Sequence, residues 1–258
     1  MKNSMYRLSV AVAVLSLALL SNISFASETD DRIVSSAKES YVFNTFLQNG
    51  DVQIQSKDGV VTLSGTVTEE SHKLLAQKTV ASLPGVKSVN NELKLKGDPP
   101  AEMSDTWITL KVKSTLLFHR NVSAMTEVST TDGVVTLRGE ADNQAQKELT
   151  AEYAKDIEGV RAVLNEMTVA KTADTQVEEK PEDKTVGEKI DDASITALVK
   201  AALLYHRSTS GLNTKVETSD GMVTLSGEAN NATEKELAER YAGNVKGVKK
   251  VVNNMTIE

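Results

Sequence analysis

Asp58-Gly-Val-Val-Thr-Leu-Ser-Gly65 decides how this chain is read, because it returns twice, as Asp132-Gly-Val-Val-Thr-Leu-Arg-Gly139 and Asp220-Gly-Met-Val-Thr-Leu-Ser-Gly227. Asp-Gly supplies the positive φ angles of a two-residue hairpin turn. The β-forming run after it predicts a strand. The closing Gly65, Gly139 and Gly227 mark a bend or a close backbone approach. Another glycine stands 20 positions beyond each of them: Gly85, Gly159 and Gly247. With Gly59, Gly133 and Gly221 of the turns, these nine glycines are read as architectural, and one module is read as used three times.

Working outward, Val52 and Ile54 alternate with Gln53 and Gln55 as a strand before the first turn. Upstream of it, Asp30 precedes Ile33, Ala37, Tyr41 and Val42, the stripe of an amphipathic helix. Three residues past each strand-ending glycine stand Thr68, Asp142 and Asn230. All are N-cap types, so a second helix is expected to open there. Its stripe is Leu75, Thr79, Val80, Leu83 in the first copy, Leu149, Tyr153, Ala154, Ile157 in the second and Leu237, Tyr241, Ala242, Val245 in the third. Gly85, Gly159 and Gly247 are expected to stop that helix at C′. A third strand then follows, Val86 to Leu95, Val160 to Val169 and Val248 to Ile257.

The predicted fold class is therefore α+β: three tandem αββαβ modules, each with two helices on one face of a small three-stranded mixed sheet. The third strand runs parallel to the second through a right-handed crossover. Modules are expected at 28–97, 102–170 and 190–258. The first two are joined by the short, stiff Gly97-Asp-Pro-Pro-Ala101. Residues 171–189 are rich in Asp, Glu, Lys and Thr and poor in large apolar residues, so they read as a disordered acidic linker. On that reading the third module swings on a tether and folds alone.

Residues 1–26 read as a signal peptide: Lys2 and Arg7, an apolar run from Leu8 to Leu20, and a Ser24-Phe25-Ala26 cleavage site. No Cys follows the run, which argues against a lipid anchor, and the run is short for a membrane span. The expected location is the periplasm, with no transmembrane segment in the mature chain. The chain has no cysteine, so packing, and not disulfides, must hold it together. The formal charge is −7 overall, and removing the segment leaves 27 of the 29 basic residues against 36 acidic ones, or −9. That balance argues against nucleic acid as a partner.

Chemistry is sparse. Of three histidines, His119 and His206 are repeat equivalents, each between an aromatic residue and an Arg. Duplication accounts for the recurrence, neither has a second ligand at metal spacing, and both read as surface or helix-end side chains. His72 reads the same way. Asp58, Asp132 and Asp220 belong to turns, since calcium needs six or more oxygens. No Gly-x-Ser-x-Gly elbow or phosphate loop occurs, so no catalytic, metal or cofactor residue is assigned and no enzyme is expected. For binding, the scarce aromatics and local bases are the candidates: Trp107 with Lys111 and Lys113, Phe118 and Tyr205 ending two first helices, and Lys246, Lys249 and Lys250. An amphipathic face with Trp near Lys suits a lipid headgroup layer.

The Asp-Gly-Val-Val-Thr-Leu-Ser-Gly turn-strand, the helix after it and Pro84-Gly-Val-Lys-Ser-Val-Asn-Asn91 resemble the BON domain family. Asp191-Asp-Ala-Ser-Ile-Thr-Ala-Leu-Val-Lys-Ala-Ala-Leu-Leu204 is similar to the opening segment of such domains. The resemblance implies the αββαβ fold, a Gram-negative periplasmic location, a role in osmotic or envelope stress response, and binding to phospholipid or to other envelope proteins. The expected function is a non-enzymatic stress protein that binds phospholipid surfaces or, chaperone-like, exposed segments of envelope proteins; the alternative is a scaffold module of an envelope assembly. Modules two and three share Phe/Tyr-His-Arg at the first helix end and a Tyr in the second helix, and module one has Asn44 and Thr79 there. Binding is accordingly expected to fall to modules two and three.

Overall fold

The computed structural model describes residues 28–122, 126–169 and 190–258. The expected signal peptide (1–26) and acidic linker (171–189) lie outside the described residues.

The αββαβ order is observed three times. In the first module β1 (Asp51–Lys57) and β2 (Val60–Val67) pair antiparallel around Asp58 and Gly59, whose φ angles are +54° and +79°. The same hairpin recurs as β5 (Glu127–Thr131) with β6 (Val134–Arg138), and as β10 (Asn213–Ser219) with β11 (Met222–Ala229). The second helices α3 (Glu70–Ala81), α5 (Gln144–Lys155) and α7 (Ala232–Gly243) return the chain to a strand parallel to the second.

Each turn is held by a device at the start of the first helix. In module one, residues 28–39 form helix α1, and α2 (Tyr41–Phe46) continues it after a break. The other first helices are α4 (Asp105–Phe118) and α6 (Asp192–Tyr205). The Asp30 carboxylate accepts the Asp58 and Gly59 amides at 2.7 and 3.0 Å and the Ser56 hydroxyl at 2.6 Å. Asp105 accepts from Asp132 and Gly133, and Asp192 from Asp220 and Gly221, all within 2.9 Å. One carboxylate thus satisfies two turn amides while sitting at a helix N-terminus, where the dipole favours it.

Three local expectations need correction. The side-chain N-caps in modules two and three are Asn143 and Asn231, one residue later than expected; Asp142 and Asn230, just before the caps, instead give their amides to the Gln146 and Glu234 side chains. In module one Glu69 stands at the cap without a side-chain cap bond. The helices stop at Ser82, Asp156 and Asn244, before the glycines. Gly247 serves instead where the chain crosses its own first helix, since a Cβ there would lie 2.9 Å from Ile195 Cγ1. The third strand is interrupted: β3 (Ser88–Asn91), β8 (Ala162–Asn165) and β12 (Lys250–Asn253) are each followed by two residues and a short pair, β4 (Lys94–Leu95), β9 (Thr168–Val169) and β13 (Thr256–Ile257). β4 and β13 pair with β2 and β11, and β9 pairs with β7 (Glu140–Ala141). At each break an Asn side chain (Asn91, Asn165 or Asn253) donates to a second-helix carbonyl and accepts the amide two residues on.

The third module does not swing. Buried apolar side chains of all three modules form one continuous cluster, and α6 lies at its centre. From Ala193 to Val199 every α6 residue is buried, as are Ala201, Ala202, Leu203 and Tyr205; only Leu204 is exposed. Helix α3 of module one and α4 of module two both pack on it. Its N-terminus is tied to module one: Asp191 Oδ2 accepts the Tyr41 amide at 2.8 Å and Ser194 Oγ the Val42 amide at 3.1 Å. Those amides open α2, so the break in module one's first helix and its docking on α6 are one event.

An isolated fragment 190–258 would leave α6 with two uncovered sides, contrary to the expectation of independent folding. The expected outcome is self-association or a broad, non-cooperative melt, against a cooperative melt for a chain of residues 27–258. Circular dichroism with light scattering checks this; a monomeric, cooperatively melting fragment would refute it.

Candidate functional site

The candidate contact residues do not share one face. Trp107 is half-buried in the first turn of α4, with Lys111 Nζ 4.0 Å from its ring centroid and 5.4 Å from that of Tyr205. Burial lowers the Lys111 pKa against the pull of Glu158 and Glu102. Met103, in the preceding loop, is 52% exposed and holds a φ of +62°. Phe118 and Tyr205 are 1% and 9% exposed, with ring centroids 5.9 Å apart, and Phe46 of module one stands 6.2 Å from Phe118. They join modules. Lys113 is exposed beside the β5–β6 hairpin. Lys246 is half-buried, its amide donating to Phe118 O at 3.0 Å, and burial lowers its ammonium pKa. Lys249 and Lys250 are exposed and line a shallow groove of about 380 Å³ with Arg120, Arg240 and Glu239.

Between modules two and three the structure brings together residues that the sequence reading set aside. His119 and His206, expected at the surface, are 0% exposed, and their Nε2 atoms stand 3.1 Å apart. The first-helix end of each module inserts against the second-helix end of the other. His119 forms a backbone bridge with Val245, and His206 with Ile157. The Arg120 amide donates to Asn244 O and the Arg207 amide to Asp156 O. The exchange is reciprocal, as in an isologous contact between two copies. Each imidazole lies flat on a tyrosine of its own module, His119 on Tyr153 at 3.8 Å and His206 on Tyr241 at 3.9 Å. The two tyrosines meet edge to face at 6.0 Å.

One carboxylate organises this ring cluster. Asp156 accepts the Tyr241 hydroxyl at 2.8 Å and the Ser208 hydroxyl at 2.6 Å, and its Oδ2 lies 3.5 Å from His206 Nδ1, an electrostatic contact longer than a good hydrogen bond. Burial pushes this carboxyl up, but His206, Ser208 and Tyr241 outweigh it and hold it at about 2. Burial, with His206 next, brings the His119 imidazole down to about 3. Burial also lowers His206, against the pull of Asp156. Neutral imidazoles are one donor and one acceptor each. At the 3.1 Å contact one Nε2 carries a proton and donates, and the other accepts. His119 Nδ1, His206 Nδ1 and the Tyr153 hydroxyl are buried without a hydrogen-bond partner among the described residues. The signal that could have found this cluster is the joint recurrence of His-Arg in the first helix and Tyr in the second, in the same two copies.

Three small α+β modules with one sheet face open and their helices packed together define a tandem-repeat protein. The chain belongs to the BON domain family, whose model matches residues 29–97, 104–171 and 191–258. It is 37% identical over 154 residues to the osmotically-inducible protein Y of Escherichia coli (strain K12), covering 59% of this chain and 72% of that one. It is 31% identical over 116 residues to a 21 kDa hemolysin of Actinobacillus pleuropneumoniae, covering 44% of this chain and 59% of the relative. Among solved structures, the C-terminal domain of CdsD, a structural protein of the type III secretion system of Chlamydia trachomatis, aligns over 84% of this chain and 95% of its own length at 17% identity and a TM-score of 0.23.

Replacing Asp156 with Ala strands the Tyr241 and Ser208 hydroxyls in the seam. The expected loss is about 3 kcal/mol, since hydrogen bonds to a charged acceptor contribute roughly 1.5–3 kcal/mol each and do not add fully. Urea unfolding at pH 7.5 measures it, with Asp142→Ala, at an exposed loop position, as the control that stays within about 0.5 kcal/mol.

Proposed function

We propose that this is an exported, non-enzymatic periplasmic protein of osmotic or envelope stress that attaches weakly and peripherally to phospholipid surfaces. The observation that carries the reading is the corner at the start of α4. There a half-buried Trp107, an ammonium stacked on it from Lys111 and an exposed Met103 combine an apolar wedge with a cation. Such a combination suits the headgroup boundary of a bilayer. The basic groove edge at Lys249 and Lys250 adds a second local attraction for anionic headgroups. No helix among the described residues is long and apolar enough to cross a membrane. The mature charge of −9 keeps it local and salt-sensitive. Membership of the BON family and similarity to an osmotically-inducible protein support the stress setting.

A second reading, a scaffold of an envelope assembly, is favoured by the edge strands. β1 and β10 have seven residues each and pair on one side only among the described residues. Such edges accept a further strand. A defined oligomer of the mature chain in light scattering supports this reading, and a monomer speaks against it.

The lipid reading is tested by flotation of the mature chain with zwitterionic and with anionic vesicles. The expected result is binding that favours anionic vesicles and weakens with salt. Trp107→Ala should reduce partitioning on both vesicle types. Lys249→Gln with Lys250→Gln should act on anionic vesicles only, by about 2 kcal/mol, roughly 30-fold, at about 1 kcal/mol per basic residue near the surface. A chain that stays in solution with both vesicle types refutes the proposal.

A further inference from the structure

We propose that the His119–His206 contact is an acid-operated latch between the second and third modules, closed when both imidazoles are neutral and released when the pair is protonated. The geometry is that of two rings meeting nitrogen to nitrogen at 3.1 Å with no solvent access. Neither ring can turn aside without leaving its tyrosine, since both stacks lie below 4 Å.

The charged groups facing the pair come from each element packed on it. Asp156 at the end of α5 faces His206, and Arg240 on α7 faces it from the other side. Lys246, after α7, faces His119. Glu152 on α5 lies beyond, 3.9 Å from Arg240. Tyr153 and Tyr241 are held neutral, because burial raises both phenols. The basic neighbours thus outnumber the one carboxylate in contact, and added positive charge in this pocket is poorly compensated.

Counting protons sets the response. The closed seam has room for one extra proton, on His206, which then donates across the 3.1 Å contact to His119 and holds its other N–H against the Asp156 carboxylate at 3.5 Å. A second would set two N–H groups head to head at 3.1 Å in a dry site. The open seam exposes both rings to water, where each titrates near the ordinary histidine value of about 6.5. Opening therefore takes up one to two protons. The closed-state values lie below the open-state ones, so closure is fully favoured above about 6.5 and is progressively lost as pH falls below it. The opening constant rises roughly 10- to 100-fold per pH unit in that window. Asp156 contributes nothing there, being charged in both states. Its share is lost only as pH falls from about 4 towards its closed-state value of about 2.

Release bares apolar surface that is buried at neutral pH. Phe118 and Tyr205 sit directly beside the two histidines in sequence and close the same seam, with Leu116 and Leu203 buried on the turn before. Opening also parts α4 from α6 and Ser114 from Glu69 and Ser71, whereas the α3–α6 contact joins modules one and three and involves no residue of the second module.

The test follows binding of a hydrophobic dye and far-ultraviolet circular dichroism of the mature chain from pH 7.5 to 4.5 at 0.15 M salt. The expected result is a rise in dye binding with a midpoint between about pH 5 and 6.5, at unchanged secondary structure. His119→Asn with His206→Asn, the residue type that module one carries at Asn44, should abolish that rise. The chain has no cysteine of its own, so a second arm uses Asn121→Cys with Asn244→Cys, whose side chains meet 3.3 Å apart at the seam's rim. The oxidised form must lose the acid transition, and its reduced form must keep it. This arm holds even if the double His variant fails to fold. No rise in dye binding between pH 7.5 and 4.5, or a rise that persists in the oxidised chain, overturns the latch.

Discussion

Helix α6 carries apolar or small side chains around nearly its whole circumference, and covering them takes more surface than one module owns. Its own sheet takes one side, α3 of module one a second and α4 of module two a third. Ala197, Ala201 and Ala202 keep the helix slim enough for neighbours to approach on several sides. The rest of the architecture follows from that enclosure. Module one must bring α3 to α6, and its first helix breaks at Ser40 so that the freed Tyr41 and Val42 amides meet Asp191 and Ser194. Ser114 of α4 then reaches Glu69 and Ser71 at the head of α3, closing a triangle of three modules around one helix.

What the chain itself discloses is the module; what it hides is the assembly. The Asp-Gly turns, the parallel crossover and the αββαβ order are local or periodic, and all three follow from turn chemistry and from spacing between glycines. The cap position slipped by one because Thr68, Asp142 and Asn230 are as good N-cap types as the residues that follow them, and only the helix register separates them. The clamp made by Asp30, Asp105 and Asp192 on the turns joins positions nearly thirty residues apart, beyond any helical or strand period. The packed arrangement left one trace. Asp192 to Tyr205 shows only Lys200 as a long polar side chain after its first residue, and a helix without a polar face has to be buried somewhere.

The seam combines stability with exposure to failure. Tyr241, Ser208 and Asp156 form a satisfied polar network across two modules, and such networks hold one geometry in preference to others. Beside it, His119 Nδ1, His206 Nδ1 and the Tyr153 hydroxyl find no hydrogen-bond partner among the described residues, and buried polar groups in that state cost free energy. A purely apolar seam of the same shape would be tighter and indifferent to pH. The observed one is held in part by two imidazoles, groups whose ordinary titration falls near neutral pH.

The three copies differ because two alike copies already close a contact. Modules two and three exchange first-helix ends reciprocally, His119 with Val245 and His206 with Ile157, and a reciprocal pair leaves no equivalent half for a third member. A third module can join only through another surface. Module one does so with α2 and α3, and the position that would carry a histidine in the pair is Asn44, which donates to Glu39 O within its own helix region. The pair itself is not symmetric. Asp156 of module two corresponds to Asn244 of module three, so His206 faces a carboxylate, His119 does not, and the polar network runs one way only. With Asn there, the positive charge that the pair takes up has one counter-ion, and the second proton has none.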